Sequence, residues 1–300
     1  MLSSAPSVAS IFHRDGAGIN REPDARPLGV RGILDKGGDQ TAMTGWDPAK
    51  YLEFHDHRMR PALDLLGRVT LDGPGTIYDL GCGAGNVTRL LRERWPGAEV
   101  TGMDSSDAML TAAARAAPGV AWLRADLAGW SAPQPADLIF SNAALHWLDD
   151  HPTLFPRLAR QLTPGGVLAV QMPRNHGAPS HTEMVEAARS GPWRDRLAPL
   201  LRAAPVAAPQ AYYDMLARHV DRLDIWETEY LHVLEGQAPV VEWIKGSALK
   251  PLLDALDVPE RAAFLAAYTA RVAAAYPPSP DGRTLYPFRR LFVLATSWAT

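Results

Sequence analysis

Three hundred residues carry 30 Lys and Arg against 33 Asp and Glu, a formal charge of −3, so no basic excess exists to hold a nucleic acid. Hydrophobic residues make up 47% and charged residues 21%, an ordinary globular composition for one large domain with or without a cap; no apolar run approaches the roughly 20 residues of a membrane span. The single cysteine, Cys82, excludes an internal disulfide and a Cys-based zinc site, and fits a reducing cytoplasm.

Residues 1–43 are rich in Gly, Ser, Pro and Asp without sustained periodicity, and read as a disordered extension. No basic residue precedes the short apolar patch at 8–12, which makes a poor signal peptide. Met43 is a candidate start, and one domain is expected over 44–300. Leu52, Met59, Leu63 and Leu66 lie at helical spacing, with Pro48 early, and predict a helix over 47–69. A strand over 76–80 ends at Gly81. A helix over 86–94, with Leu90 and Leu91 on its apolar face, stops at Pro96-Gly97. A strand over 99–103 ends at Asp104, and an Ala-rich helix over 107–116 closes at Pro118-Gly119. A strand over 120–125 ends at Asp126, and a fourth spans 137–141. A helix over 152–162 closes at Pro164-Gly165-Gly166, and a fifth strand over 167–172 is apolar on both faces. This alternation predicts an α/β fold with a parallel sheet covered on both sides. Beyond 176 the reading is helices over 182–189 and 210–218, a longer pair within 238–276, and two late strands over 222–233 and 284–296. Segments of about 176–206 and 236–277 are expected to form a helical cap.

In open parallel sheets ligands lie beyond the carboxyl ends of the strands. Chemistry is therefore sought at 79–85, Asp104, Asp126, Asn142 and 171–176. The central motif is Asp79-Leu80-Gly81-Cys82-Gly83-Ala84-Gly85-Asn86-Val87-Thr88. Its glycines allow a sharp turn and a close approach of backbone to ligand, although a plain strand-to-helix turn has the same composition. A dinucleotide fingerprint would read G-x-G-x-x-G around a pyrophosphate. Here the third glycine comes one residue early, and Asp79 would repel a phosphate but attract the ammonium of an amino acid. Asp104 can accept from both ribose hydroxyls, with Ser105 beside it, or can simply begin the next helix. Asp126 can accept from an adenine amino group while Leu127 packs on the ring; a surface Asp at a strand end is the alternative.

The loop at 79–88, Asp104, Asp126-Leu127 and Asp137-Leu-Ile-Phe-Ser-Asn-Ala-Ala-Leu-His-Trp-Leu148 together resemble the class I methyltransferases that use S-adenosylmethionine. Within that class the chain is similar to the trans-aconitate methyltransferases. The motifs are Trp46-Asp-Pro-Ala-Lys-Tyr-Leu52, Val170-Gln-Met-Pro173, Ala211-Tyr-Tyr-Asp214, Asp224-Ile-Trp226, Val241-Glu-Trp-Ile244 and Pro287-Phe-Arg-Arg-Leu-Phe292. Ala84 stands where a Pro is common in the loop, and the extension before Met43 has no counterpart. The resemblance implies a Rossmann-like sheet, mostly parallel, of seven strands with the last antiparallel, and a helical cap. It implies S-adenosylmethionine held by Asp79, Gly81, Gly83, Gly85, Asn86, Asp104, Ser105, Asp126, Leu127 and Asn142. It also implies methyl transfer to a carboxylate oxygen of a small polycarboxylic acid, giving a methyl ester and S-adenosylhomocysteine.

A carboxylate with a pKa of about 4 is already ionised at neutral pH, so no general base is required. His146 and Trp147, after the fourth strand, are expected to position the reactants. Candidates to clamp the other carboxylates are Arg58, Arg60, Arg174, His176, Tyr212, Trp243, Arg289 and Arg290. No metal is expected: His55 and His57, two apart on a helix, point to different faces. Alternative readings are a carboxyl methyltransferase acting on a carrier-bound malonyl group or a specialised metabolite, and a non-catalytic adenosylmethionine-binding module. The expected partner is a small acid, with no nucleic acid or membrane, in a monomer or weak homo-oligomer.

Overall fold

A computed structural model describes residues 59–299. The extension at 1–43, the 46–52 motif, His55, His57 and Arg58 lie outside the described residues. Seven strands form one sheet: β1 (Thr76–Leu80), β2 (Glu99–Asp104), β3 (Ala121–Arg124), β4 (Ala136–Asn142), β5 (Leu162–Pro173), β6 (Arg222–Leu234) and β7 (Thr284–Thr296), in the order β3-β2-β1-β4-β5-β7-β6. All pairs up to β4–β5 are parallel, and β7 lies antiparallel between β5 and β6. The order reverses between β1 and β4, which opens a crevice beyond their carboxyl ends.

Period-two alternation explains the two layers. Tyr78, Leu80, Ile139, Leu168, Val170, Leu291 and Val293 face one side, where α4 (His151–Ala159) and α7 (Pro209–Leu216) cover them. Their neighbours Ile77, Leu138, Phe140, Val167, Ala169 and Phe292 face the other, under α1 (Arg60–Arg68) and α2 (Asn86–Arg94). Phe155 of α4 and Tyr212 of α7 pack edge to face, their centroids 4.9 Å apart. Burying rings of this kind is worth roughly 1.5–3 kcal/mol each. The helix α3 (Asp107–Ala116) begins at Ser106, whose hydroxyl accepts from the Met109 N–H.

A third core lies under α5 (Pro179–Ser190), α6 (Arg194–Leu197), α8 (Pro239–Lys245), α9 (Lys250–Asp254) and α10 (Val258–Ala275). These helices pack on Tyr286 and Phe288 at the start of β7. Asp257 and Glu260 close a reciprocal capping box at the start of α10.

Two sequence expectations change, and three short elements carried none. Pro164-Gly165-Gly166 does not terminate a helix at 162; α4 ends at Ala159 and the triplet lies within β5. There it accompanies a register shift between Ala136↔Leu162 and Leu138↔Val167, and Gly165 takes φ +73°. The longer pair within 238–276 is three helices, α8, α9 and α10. Finally, α6 and the 3₁₀ turns Leu145–Trp147 and Ala198–Leu200 are too short to leave a periodic trace in sequence. None of the helices among the described residues is long and apolar enough to cross a membrane.

Candidate active site

Beyond β1 the chain turns through the glycine loop into α2. The Gly81 and Cys82 N–H groups both donate to the Met103 carbonyl at 2.8 Å, which pins the loop to β2. Gly81 has φ +76°, and a Cβ there would fall on the Ala144 side chain. Gly85, at φ +81°, would set a Cβ 2.7 Å from the Trp122 ring. The loop therefore tolerates no side chain at either position without displacing its neighbours.

Asp79, the penultimate residue of β1, is almost wholly buried and accepts a 2.6 Å bond from the Thr88 hydroxyl. Burial pushes its pKa up, the Thr88 bond pulls it back, and the negative charge of Asp104 adds to the rise, leaving it at about 7. Asp104 braces the loop, accepting from Gly83 N–H at 3.0 Å and Ser106 N–H at 2.9 Å. Each of its oxygens keeps further acceptor capacity. Ser105 is exposed beside it. Asp126 is exposed and accepts from Ala128 N–H at 3.0 Å, while Leu127 is half-buried against the first core.

A cavity of about 430 Å³ opens from this loop toward the helices around β7. Pockets for small organic ligands run from about 300 to 1,000 Å³. Asp79, Gly81, Gly83, Asn86 and Asn142 form its wall at the loop end. Asn142 Oδ1 is buried there without a hydrogen-bond partner. Gly85, Asp104, Ser105, Asp126 and Leu127 lie outside the wall, at the back of the loop or along the ends of β2 and β3. A buried carboxylate and an orphaned acceptor suit the ammonium of an amino-acid group, while the half-buried Asp104 at the end of β2 and the exposed Asp126 beyond β3 suit a nucleoside.

The wall also includes His146, Trp147, His176, Trp243 and Arg290, five of the residues singled out in the sequence. His146 is 9% exposed, and its Nδ1 has no partner. Burial, aided by His176, Arg290 and Arg202, pushes its pKa down to about 3, so the ring is neutral at physiological pH. His176 is also shifted down, first by burial and then by Arg202.

Four expected clamp residues lie elsewhere. Arg174 donates to Glu227 at 2.7 Å and to the Ala207 carbonyl at 2.9 Å, outside the cavity. Tyr212 is sealed into the first core with its hydroxyl 2.7 Å from His151 Nδ1. Arg289 points outward toward Glu229, because strand alternation allows only one of Arg289 and Arg290 to face in. Arg60 is exposed and lies over the Tyr230 ring, not in the cavity wall.

The sequence reading missed Arg202, His181 and Asn175. Arg202 Nη1 bonds the His146 carbonyl at 3.3 Å, and Nη2 pairs with Asp149 at 2.7 Å. His181 meets the Ser180 hydroxyl at 3.1 Å, and burial lowers its pKa to about 4. Asn175 falls in the flagged strand-end stretch 171–176, so it had a signal; Arg202 stands between elements and had none.

A family model for the methyltransferase domain matches residues 77–166. The YcgJ protein of Bacillus subtilis, 13% identical, superposes with a TM-score of 0.52 over 81% of this chain and 99% of its own, which supports the fold. The strand order, the loop after β1 and the domain match define a class I S-adenosylmethionine-dependent methyltransferase. The trans-aconitate 2-methyltransferase of Azoarcus sp. (strain BH72) is 53% identical over 84% of this chain and 99% of its own. That of Rhodopseudomonas palustris (strain BisB18) is 49% identical over the same shares. The chain belongs to the trans-aconitate 2-methyltransferase family.

Proposed function

We propose that this chain methylates a carboxylate oxygen of trans-aconitate, releasing a methyl ester and S-adenosylhomocysteine. The observation that carries this reading is the charge pattern of one cavity. A buried carboxylate, Asp79, lines it at the glycine loop, and the two Arg or Lys side chains in the described wall, Arg202 and Arg290, line it from other segments of the chain. S-adenosylmethionine supplies the methyl group, activated on a sulfonium. Asp79 takes the amino-acid end, Asp104 the ribose, and Asp126 with Leu127 the adenine.

The acceptor carboxylate is its own nucleophile. The new O–CH₃ bond forms as the S–CH₃ bond breaks, and opposite charges cancel. Strong donors on the attacking oxygen would stabilise the ground state more than the transition state. Neutral His146 and the indole of Trp147 suit that requirement, holding the reacting carboxylate without a formal charge. Alignment supplies the rest, worth roughly 7–11 kcal/mol in favourable cases.

Inward-facing cations favour a free acid over a carrier-bound malonyl group, which would need an exposed basic surface. The segments 176–206 and 236–277, which carry His176, Arg202 and Trp243, act as the cap over the acceptor. The enzyme would work in the cytoplasm, where its cofactor is made. The test is incubation with labelled S-adenosylmethionine and trans-aconitate, cis-aconitate, isopropylmalate or malonate, with esters read by mass. A trans-aconitate monoester is expected; no ester from any acid, or a preference for malonate, refutes the reading.

A further inference from the structure

We propose that Arg202 selects the acceptor by its number of carboxylates, exchanging Asp149 for a carboxylate remote from the one that is methylated. The inference rests on the carboxyl-methylation reading above. Arg202 enters the cavity wall from an irregular stretch between the Ala198–Leu200 turn and α7. Its ion partner Asp149 has a side chain 92% exposed. A pair with so solvated a partner contributes little and is readily replaced.

The other Arg202 bond is a 3.3 Å contact with the His146 carbonyl, a position at the edge of the acceptor space. A guanidinium offers five N–H donors in a planar fork, and these two contacts leave donors for a bidentate carboxylate. Arg290 is held differently: it is 6% exposed on β7, 3.4 Å from Gln171 Oε1 and over the Phe288 ring. Both guanidinium groups lie close enough to His146 to depress its basicity. Two cations thus share the cavity wall with the ring beside which the reacting carboxylate is proposed to sit. A tricarboxylate presents two further carboxylates, one for each cation. A dicarboxylate presents only one, and Arg202 can then keep its pair with Asp149.

Arg202→Ala, Arg202→Lys and Asp149→Asn are made in the full chain. For each, kinetics with trans-aconitate are measured alongside competitive inhibition constants for tricarballylate (three carboxylates) and glutarate (two), with calorimetric S-adenosylmethionine affinity as the folding control. Arg202→Ala is expected to raise KM for trans-aconitate at least tenfold with kcat within threefold. It should cut the preference for tricarballylate over glutarate by a similar factor and leave cofactor affinity within twofold. Arg202→Lys restores part of the preference, and Asp149→Asn leaves KM unchanged or lower because a competing anion is gone. If Arg202→Ala weakens both inhibitors equally, or Asp149→Asn reproduces its rise in KM, Arg202 is a structural latch and the proposal fails. If Arg202→Ala loses cofactor affinity as well, Arg202→Lys decides: a fold-competent Lys variant with unaltered selectivity also overturns it. Wild-type protein that esterifies no polycarboxylate sinks the functional reading itself, whereas wild-type turnover with an unselective Arg202→Ala result sinks this inference alone.

Discussion

Replacing Asp79 by Asn should make the free protein more stable and the cofactor complex weaker. The fold raises the Asp79 pKa from 3.8 to about 7, chiefly by burial. At about 1.4 kcal/mol per unit, such a shift corresponds to a few kcal/mol. The folded chain binds the extra proton, so this contribution to stability is full below 3.8 and is lost as pH rises through about 7. At pH 8 a desolvated carboxylate remains, and Asn removes that charge while still accepting from Thr88. The expected result is a higher melting temperature for Asp79→Asn at pH 8.

Binding an ammonium reverses the preference and favours the carboxylate. Wild-type affinity for S-adenosylmethionine should therefore fall about fivefold from pH 7 to pH 6, approaching tenfold per unit below, provided the bound carboxyl has a pKa under about 5. Asp79→Asn should abolish that slope and weaken binding at pH 7.5 by roughly 1.5–3 kcal/mol, the range for a hydrogen bond to a charged group. Calorimetry between pH 6 and 7.5 and thermal scans at pH 8 test both halves. Unchanged affinity with the wild-type pH slope would refute the ammonium assignment; a lowered melting temperature would refute the claim that the carboxylate is stored at a cost.

Asp104→Ala should weaken the cofactor more than tenfold, because it removes the proposed ribose acceptor and frees the Gly83 and Ser106 N–H groups; wild-type affinity by calorimetry would count against both roles. Arg290→Ala should raise KM for trans-aconitate at least tenfold, whereas Arg174→Ala and Arg289→Ala should leave it within twofold, as steady-state kinetics will report. Gly81→Ala should cost stability and cofactor binding together, since its Cβ meets Ala144 at a positive φ; an unchanged melting temperature would mean the loop yields more easily than its packing implies.

The sheet was legible because each of its strands presents its own pattern. The late strand read over 284–296 has the bounds of β7, and the glycine loop pointed to the crevice from which the cavity opens. The acceptor end was only half legible. His146 and Trp147 follow a strand, so topology pointed to them. Arg202 lies in irregular chain between helices, where no period carries information, and its place depends on how distant segments pack. Arg174 and Arg289 had the right chemistry and the wrong direction. Arg289 and Arg290 are adjacent in sequence, and only the register of β7 against β5 and β6 decides which of them faces the cavity.

That register has a further effect. β7 carries Leu291, Phe292 and Val293 in the two main cores and, one residue before them, Arg290 in the cavity wall. Inserting a residue between Arg290 and Leu291 would swap the inward arginine for the outward one and cannot be absorbed without unpicking the centre of the sheet. Arg290 is thus inherited with the scaffold, while the loop bearing Arg202 is free to drift. Divergence toward new acids should accumulate in the loop and spare the strand.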